Sequence, residues 1–212
     1  MEQDKKPRIK ICGLSRPEDI CCVNELLPEY AGFVFWEKSR RFVSPEQAAR
    51  LRELLSPRIV SVGVFVDEEP ERVAALLERG VIGMAQLHGR EDADYIRRLR
   101  TLTEKPLMQA FRVDTREDIK GAEASPADYI LLDHGAGGTG ERFDWSLLEA
   151  VGRPYFLAGG LNPQNVALAL EQAEPYGLDV SSGVETAGKK DPEKIRAFVR
   201  QARGENGKSN CR

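Results

Sequence analysis

The sequence has no apolar run approaching the ~20 residues needed to cross a bilayer, and its start, Met1-Glu2-Gln3-Asp4-Lys5-Lys6-Pro7, lacks the apolar core of a signal peptide. No membrane association is expected, and the cytosol is the expected compartment. Cysteine is sparse: Cys12, Cys21, Cys22 and Cys211 match neither a zinc motif nor a disulfide framework, so free thiols and no metal site are expected. Charge of one sign is also lacking, since 31 Lys and Arg stand against 34 Asp and Glu for a formal net charge of -3. Such a balance gives no global attraction to nucleic acid or acidic lipid, and a small anionic ligand has to be held by a local pocket.

What is present suits one globular unit. The 212 residues, 41% hydrophobic and 31% charged, suffice for one substantial core, so a single domain over 1–212 is expected, with 1–7 and 204–212 as flexible tails. Short β-branched runs alternate with helix-like stretches throughout, the pattern of βα units around a parallel sheet. Strands are expected at 8–12, 30–35, 59–66, 82–87, 106–113, 127–133, 154–158 and 178–181. Eight such units predict a closed (β/α)8 TIM barrel, with an open doubly wound sheet as the alternative. Helix starts are marked by Ser15 with Glu18, by Ser44 with Gln47, and by the pairs Asn162-Pro163 and Asp191-Pro192. Val73, Leu76 and Leu77 form an apolar helix face that Gly80 is placed to end.

In a parallel barrel the active site lies at the C-terminal strand ends, so polar residues there are candidates for chemistry. Period-2 alternation turns Lys10 and Cys12 of the first strand inward and Ile9 and Ile11 toward the helices. A buried ammonium needs a partner, and Asp179 on the neighbouring eighth strand is the expected one. Cys12 could be a small buried hydrophobe, but its place at a strand end before Gly13 favours a chemical role. Asp133 ends Tyr129-Ile130-Leu131-Leu132-Asp133; an Asx turn is the purely structural alternative. The following Gly135-Ala136-Gly137-Gly138-Thr139-Gly140 formally matches G-x-G-x-x-G, but it sits in the sixth unit with no ribose-binding acid downstream. A closing lid suits it better.

Two glycine-rich turns, Gly159-Gly160 and Ser181-Ser182-Gly183, follow the seventh and eighth strands, where barrels commonly bind phosphate. Ordinary βα turns are the alternative. Arg41, in the basic loop Glu37-Lys38-Ser39-Arg40-Arg41-Phe42, could clamp a carboxylate through two parallel hydrogen bonds. His88 ends Ala85-Gln86-Leu87-His88-Gly89 and is a candidate substrate contact.

Taken as an ordered set, Lys10-Ile11-Cys12-Gly13, Gly32-Phe33-Val34-Phe35, Ser39-Arg40-Arg41, Val62-Gly63-Val64-Phe65, Gln86-Leu87-His88-Gly89, Leu131-Leu132-Asp133, Gly138-Thr139-Gly140 with Phe143-Asp144-Trp145, Gly159-Gly160-Leu161-Asn162-Pro163 and Asp179-Val180-Ser181-Ser182-Gly183-Val184-Glu185 resemble the phosphoribosylanthranilate isomerases. The resemblance runs from about Lys10 to Arg203. Departures are His134 after the aspartate and Glu141-Arg142 after the glycine loop. It implies a cofactor-free Amadori rearrangement of a phosphosugar carrying an anthranilate carboxylate, in tryptophan biosynthesis. Carried over by position, Cys12 is the expected general base, Asp133 the general acid and Arg41 the carboxylate clamp. Lys10, Asp179 and His88 are expected as further substrate-site residues, and the two glycine turns as the phosphate site. Another phosphate-binding barrel enzyme, or a non-catalytic phosphosugar-binding protein, are the competing readings.

Such chemistry needs a protonated Asp133, although a free aspartate has a pKa of about 3.9, and an ionised Cys12, although a free thiol sits near about 8.5. Burial in an apolar pocket with a nearby anionic substrate is expected to raise Asp133, and the charge of Lys10 to favour the Cys12 thiolate.

Overall fold

Eight parallel strands close on one another in chain order in the computed structural model, which describes residues 6–133, 148 and 151–205. They are β1 Arg8–Cys12, β2 Tyr30–Val34, β3 Val60–Phe65, β4 Met84–Leu87, β5 Leu107–Arg112, β6 Tyr129–Asp133, β7 Tyr155–Ala158 and β8 Gly177–Val180. Helices α1 Pro17–Leu26, α2 Pro45–Leu54, α3 Pro70–Glu78, α4 Ala93–Arg100 and α5 Arg116–Glu123 follow the first five strands, and α6 Val166–Gln172 and α7 Pro192–Ala202 the last two. The expected sixth-unit helix, the glycine loop 135–140, His134, the segment 141–145 and Cys211 lie outside the described residues. Pairing of β1 with both β2 and β8 decides for the TIM barrel over an open sheet. No helix among the described residues is long and apolar enough to cross a membrane.

The alternation of each strand divides the core. Outward residues such as Ile9, Ile11, Ala31, Phe33, Leu87, Ile130 and Leu178 join the helices in one large cluster. Inward ones form a plug of Tyr30, Val62, Met84, Met108, Leu131 and Phe156, and a smaller group of Cys12, Val34 and Val64. The floor is finished by Arg8, whose guanidinium lies 4.6 Å from the centre of the Tyr176 ring. A packed interior of this kind turns attention to the C-terminal rim, where parallel barrels bind their ligands.

Helix starts follow from named caps. Ser44 accepts from the Gln47 amide at 3.2 Å, and Asp191 accepts from the amides of Glu193 and Lys194 with Pro192 in the first turn. Two expected starts are displaced. The Ser15–Glu18 box does not form; Asp19 instead accepts from the Ser15 and Arg16 amides at 3.0 and 3.1 Å, because its carboxylate reaches both orphan donors and Arg16 as well. Asn162 caps only a turn, through the amides of Gln164 and Asn165, and α6 begins at Val166. Gly80, with φ of 71°, follows the end of α3 as expected.

After β8 the chain makes a 3-10 turn, Ser182–Val184, and then a small hairpin of β9 Glu185–Thr186 and β10 Lys189–Lys190. Its two central residues, Ala187 and Gly188, both have positive φ (49° and 77°), as a type I′ turn requires. The register sets Glu185 opposite Lys190.

Candidate active site at the C-terminal rim

The two strands that close the barrel bring Lys10 and Asp179 side by side in register, and Lys10 Nζ donates to Asp179 Oδ1 at 2.9 Å. The pair expected from the alternation of β1 therefore forms, with Lys10 fully buried. Burial pulls the ammonium's pKa down, but Asp179 and Cys12 push it up and together prevail, so Lys10 stays charged. Cys12, one pleat further along, is 7% exposed. Burial pushes its thiol above the ordinary value, and Lys10 opposes this without cancelling it. That corrects the expectation from sequence: the lysine favours the thiolate, yet desolvation dominates in the ligand-free molecule, and Cys12 rests as a thiol. Room for this pair is made by Gly32 on β2, where a Cβ would lie 2.9 Å from Cys12 Sγ and 3.2 Å from Lys10 Nζ.

Asp133, at the end of β6, carries its Oδ2 3.7 Å from His88 Nε2. Its carboxyl is one third exposed, so the expected burial in an apolar pocket is not found. His88 Nδ1 lies 3.0 Å from Gln86 Nε2 on β4, an amide that as oriented leaves the imidazole proton on Nε2, facing Asp133. Gln86 is almost wholly buried, and its Oε1 has no hydrogen-bond partner among the described residues. Turning the amide over would exchange the two atoms and leave Nε2 without one instead. In either orientation one buried polar atom of Gln86 is left for a ligand.

Arg41 is held in a fork: its Nε and Nη2 donate to Glu185 at 2.6 and 3.0 Å. The expected clamp on a ligand carboxylate is thus already engaged along one edge by a protein carboxylate, leaving Nη1 and the outer hydrogen of Nη2 as its remaining donors. Gly13, with φ of 81°, clears its path, since a Cβ there would come within 2.4 Å of Arg41 Cδ.

The turns after β7 and β8 touch. Gly159 and Gly160 take φ of 93° and 63°, and a Cβ on Gly183 would lie 1.8 Å from the Leu161 carbonyl oxygen, so only glycine allows this approach. Among the described residues the backbone N–H groups of Gly160, Ser182 and Gly183 have no protein acceptor. Ser181 Oγ donates to the Cys12 carbonyl at 3.1 Å and ties the eighth strand's turn to the first strand.

One cavity of about 410 Å³ is lined by Cys12, Arg41, Gln86, His88, Asp133, Gly159, Gly160, Asp179, Ser181 and Ser182, with Trp36, Val34 and Val64 as apolar walls. Lys10 and Gly183 do not line it and adjoin it through Asp179 and Ser182. Three residues were given no role in the sequence reading, although Gln86 and Glu185 stand in two of the motifs quoted above. Gln86 was signalled by its inward phase with Met84 on β4; Glu185 and Lys190 had no such signal, because they belong to a hairpin rather than to the barrel.

Such a rim, with a thiol and a carboxyl around one cavity and unpaired amides on its far turns, suits proton transfer on a small anionic ligand. The sequence model of N-(5'-phosphoribosyl)anthranilate isomerase matches residues 9–201. The N-(5'-phosphoribosyl)anthranilate isomerase of Acetivibrio thermocellus is 46% identical over 212 residues, covering 94% of this chain and 97% of that one, and that of Lachnoclostridium phytofermentans is 44% identical over 209 residues, covering 91% and 95%. Among solved structures, the phosphoribosyl anthranilate isomerase of Thermotoga maritima superposes with a TM-score of 0.85 at 38% identity, covering 93% of this chain and 99% of that one. A phosphoribosyl anthranilate isomerase in complex with reduced 1-(o-carboxyphenylamino)-1-deoxyribulose 5-phosphate superposes at 0.84, with the same identity and coverage. With its whole barrel matched in sequence and in shape, the chain belongs to the N-(5'-phosphoribosyl)anthranilate isomerase family.

Proposed function

We propose that Cys12 is the general base and Asp133 the general acid of the family's reaction, with Arg41 on the substrate carboxylate and the two rim turns on its phosphate. The activity itself comes with the family: the chain is an enzyme that isomerises N-(5'-phosphoribosyl)anthranilate to 1-(2-carboxyphenylamino)-1-deoxyribulose 5-phosphate in tryptophan biosynthesis. In this reading Asp133 gives a proton to the furanose ring oxygen as the C1–O bond breaks, and the nitrogen lone pair forms a Schiff base at C1. Cys12 then takes the proton from C2, and the electron pair moves to give an enolamine. Protonation at C1 and loss of the enol proton complete the ketone. Only protons move, so no cofactor is required.

What supports the assignment is that Cys12 and Asp133 line the same cavity from strands β1 and β6, three places apart around the barrel. His88 lies beside the acid, as a substrate contact or a hydrogen-bond donor to it. Lys10, held by Asp179, supplies positive charge beneath the thiol as a proton leaves it. The free amides of Gly160, Ser182 and Gly183 suit a phosphate. A cytosolic enzyme with one barrel domain is part of the same reading, supported by the free cysteines, of which Cys21 is exposed.

The test is the decay of substrate fluorescence upon adding protein. Cys12→Ser and Asp133→Asn are each expected to lower turnover by about 100- to 10,000-fold with an unaltered circular dichroism spectrum. Near-normal turnover by Asp133→Asn would remove the acid assignment.

A further inference from the structure

The fork on Arg41 is part of a larger cluster around the buried Glu185 and Lys190, with Arg40 at its exposed edge. Glu185 Oε1 accepts from Arg41 Nε at 2.6 Å and from Lys190 Nζ at 2.7 Å, while Oε2 accepts from Arg41 Nη2 at 3.0 Å and from Arg40 Nη2 at 2.7 Å. Three cations converge on one carboxylate and leave a local excess of two positive charges beside the cavity. For stability alone such a cluster is a poor choice: the cations repel one another, and Lys190 is 5% exposed, with burial pulling its pKa below the ordinary lysine value. Burial also pushes the Glu185 carboxyl up, yet Arg41 and Lys190 more than reverse this and hold it below its ordinary range.

Geometry explains the arrangement better than stability does. An arginine offers five donors on a planar fork, and Glu185 occupies the Nε–Nη2 edge. The Nη1–Nη2 edge then remains for a second planar carboxylate in the same plane. Lys190 fixes Glu185 in turn, and it also donates to the Ser181 carbonyl at 2.9 Å, on the turn that faces the phosphate in the reading above. The hairpin register that sets Glu185 against Lys190 thus ties the carboxylate end of the cavity to its phosphate end.

We propose that Glu185, pinned by Lys190, is a positioning residue that aims Arg41 at the aryl carboxylate of the substrate and so sets the preference for a carboxylated over a non-carboxylated amine. The proposal rests on Arg41 as the carboxylate clamp, and its test separates the two. The purified enzyme is assayed with N-(5'-phosphoribosyl)anthranilate and with the aminoaldose formed from ribose 5-phosphate and aniline, which lacks the carboxylate. The readout is the ratio of kcat/KM between them, together with the split between KM and kcat.

Arg41→Ala is expected to reduce that ratio by about 10- to 100-fold, the range for a lost charge-assisted contact. Glu185→Gln is expected to reduce it about 10-fold, through KM for the anthranilate substrate more than through kcat. If Arg41→Ala keeps the wild-type ratio, the clamp itself is wrong. If Arg41→Ala collapses the ratio and Glu185→Gln does not, or if Glu185→Gln lowers both substrates in equal proportion, Glu185 is structural and the proposal is overturned. Should Glu185→Gln fail to fold, Glu185→Asp keeps the charge but withdraws it by about 1.5 Å. It is expected to lower the ratio several-fold, and a wild-type ratio in that variant counts equally against the proposal.

Discussion

Replacing Lys10 with methionine removes an ammonium that is fully buried and 2.9 Å from Asp179, and leaves the Asp179 carboxylate, 9% exposed, without its counter-ion. Breaking a buried pair in this way costs about 3–5 kcal/mol, because the surviving charge keeps its desolvation penalty and loses its partner. For a chain of this size each kcal/mol is worth about 2–4 °C, so Lys10→Met is expected to melt roughly 6–20 °C below the parent. The double variant Lys10→Met/Asp179→Leu removes both charges and should recover to within about 1–2 kcal/mol of the parent, or exceed it. Activity should not recover with it. Without the lysine, burial raises the Cys12 thiol unopposed by its largest counterweight, and each further pKa unit removes about nine-tenths of the remaining thiolate at neutral pH. The assays are urea unfolding followed by circular dichroism, fluorescence-based kcat/KM, and ultraviolet titration of the thiolate against a Cys12→Ser control. A stable double variant with parental kcat/KM would refute the electrostatic role of Lys10, and a loss below about 1 kcal/mol in the single variant would refute the buried pair.

Because the Cys12 thiol lies above its ordinary value in the free enzyme, kcat/KM should climb with pH through neutrality toward the alkaline side, tenfold per unit where the thiol limits; a flat profile between pH 6 and 8 would show, in that window of about two units, that the base is not this thiol. Gly183→Ala drives a Cβ to 1.8 Å from the Leu161 carbonyl and must part the two rim turns, so KM for the phosphorylated substrate should rise about 10-fold or more, with about 1–3 kcal/mol lost in thermal stability. Parental values for both would mean that the turns are not in contact.

Much of the barrel was legible because a parallel strand has few ways to look. The run Arg8–Cys12 was read with its observed ends, and the other seven strands within one or two residues at each end, since apolar β-branched runs flanked by caps mark buried strands plainly. Lys10 and Asp179 could be paired from alternation and closure alone. The Ser15–Glu18 box failed for a local reason, a competing carboxylate one residue on at Asp19. Glu185 was invisible as a partner of Arg41 because 144 residues separate them and the hairpin that presents it is two residues per strand. The resting state of Cys12 was misjudged for another kind of reason: sequence supplies the sign of a neighbouring charge, but the balance against desolvation depends on how completely Val34 and Val64 enclose the sulfur.

The ion pair at the seam between β1 and β8 joins residues 169 positions apart. A ribosome therefore delivers the ammonium 169 residues before its carboxylate. Until then any nascent half-barrel that folds shut must bury a naked cation, so premature collapse around the first strand is disfavoured and the open chain is kept ready for its final turn.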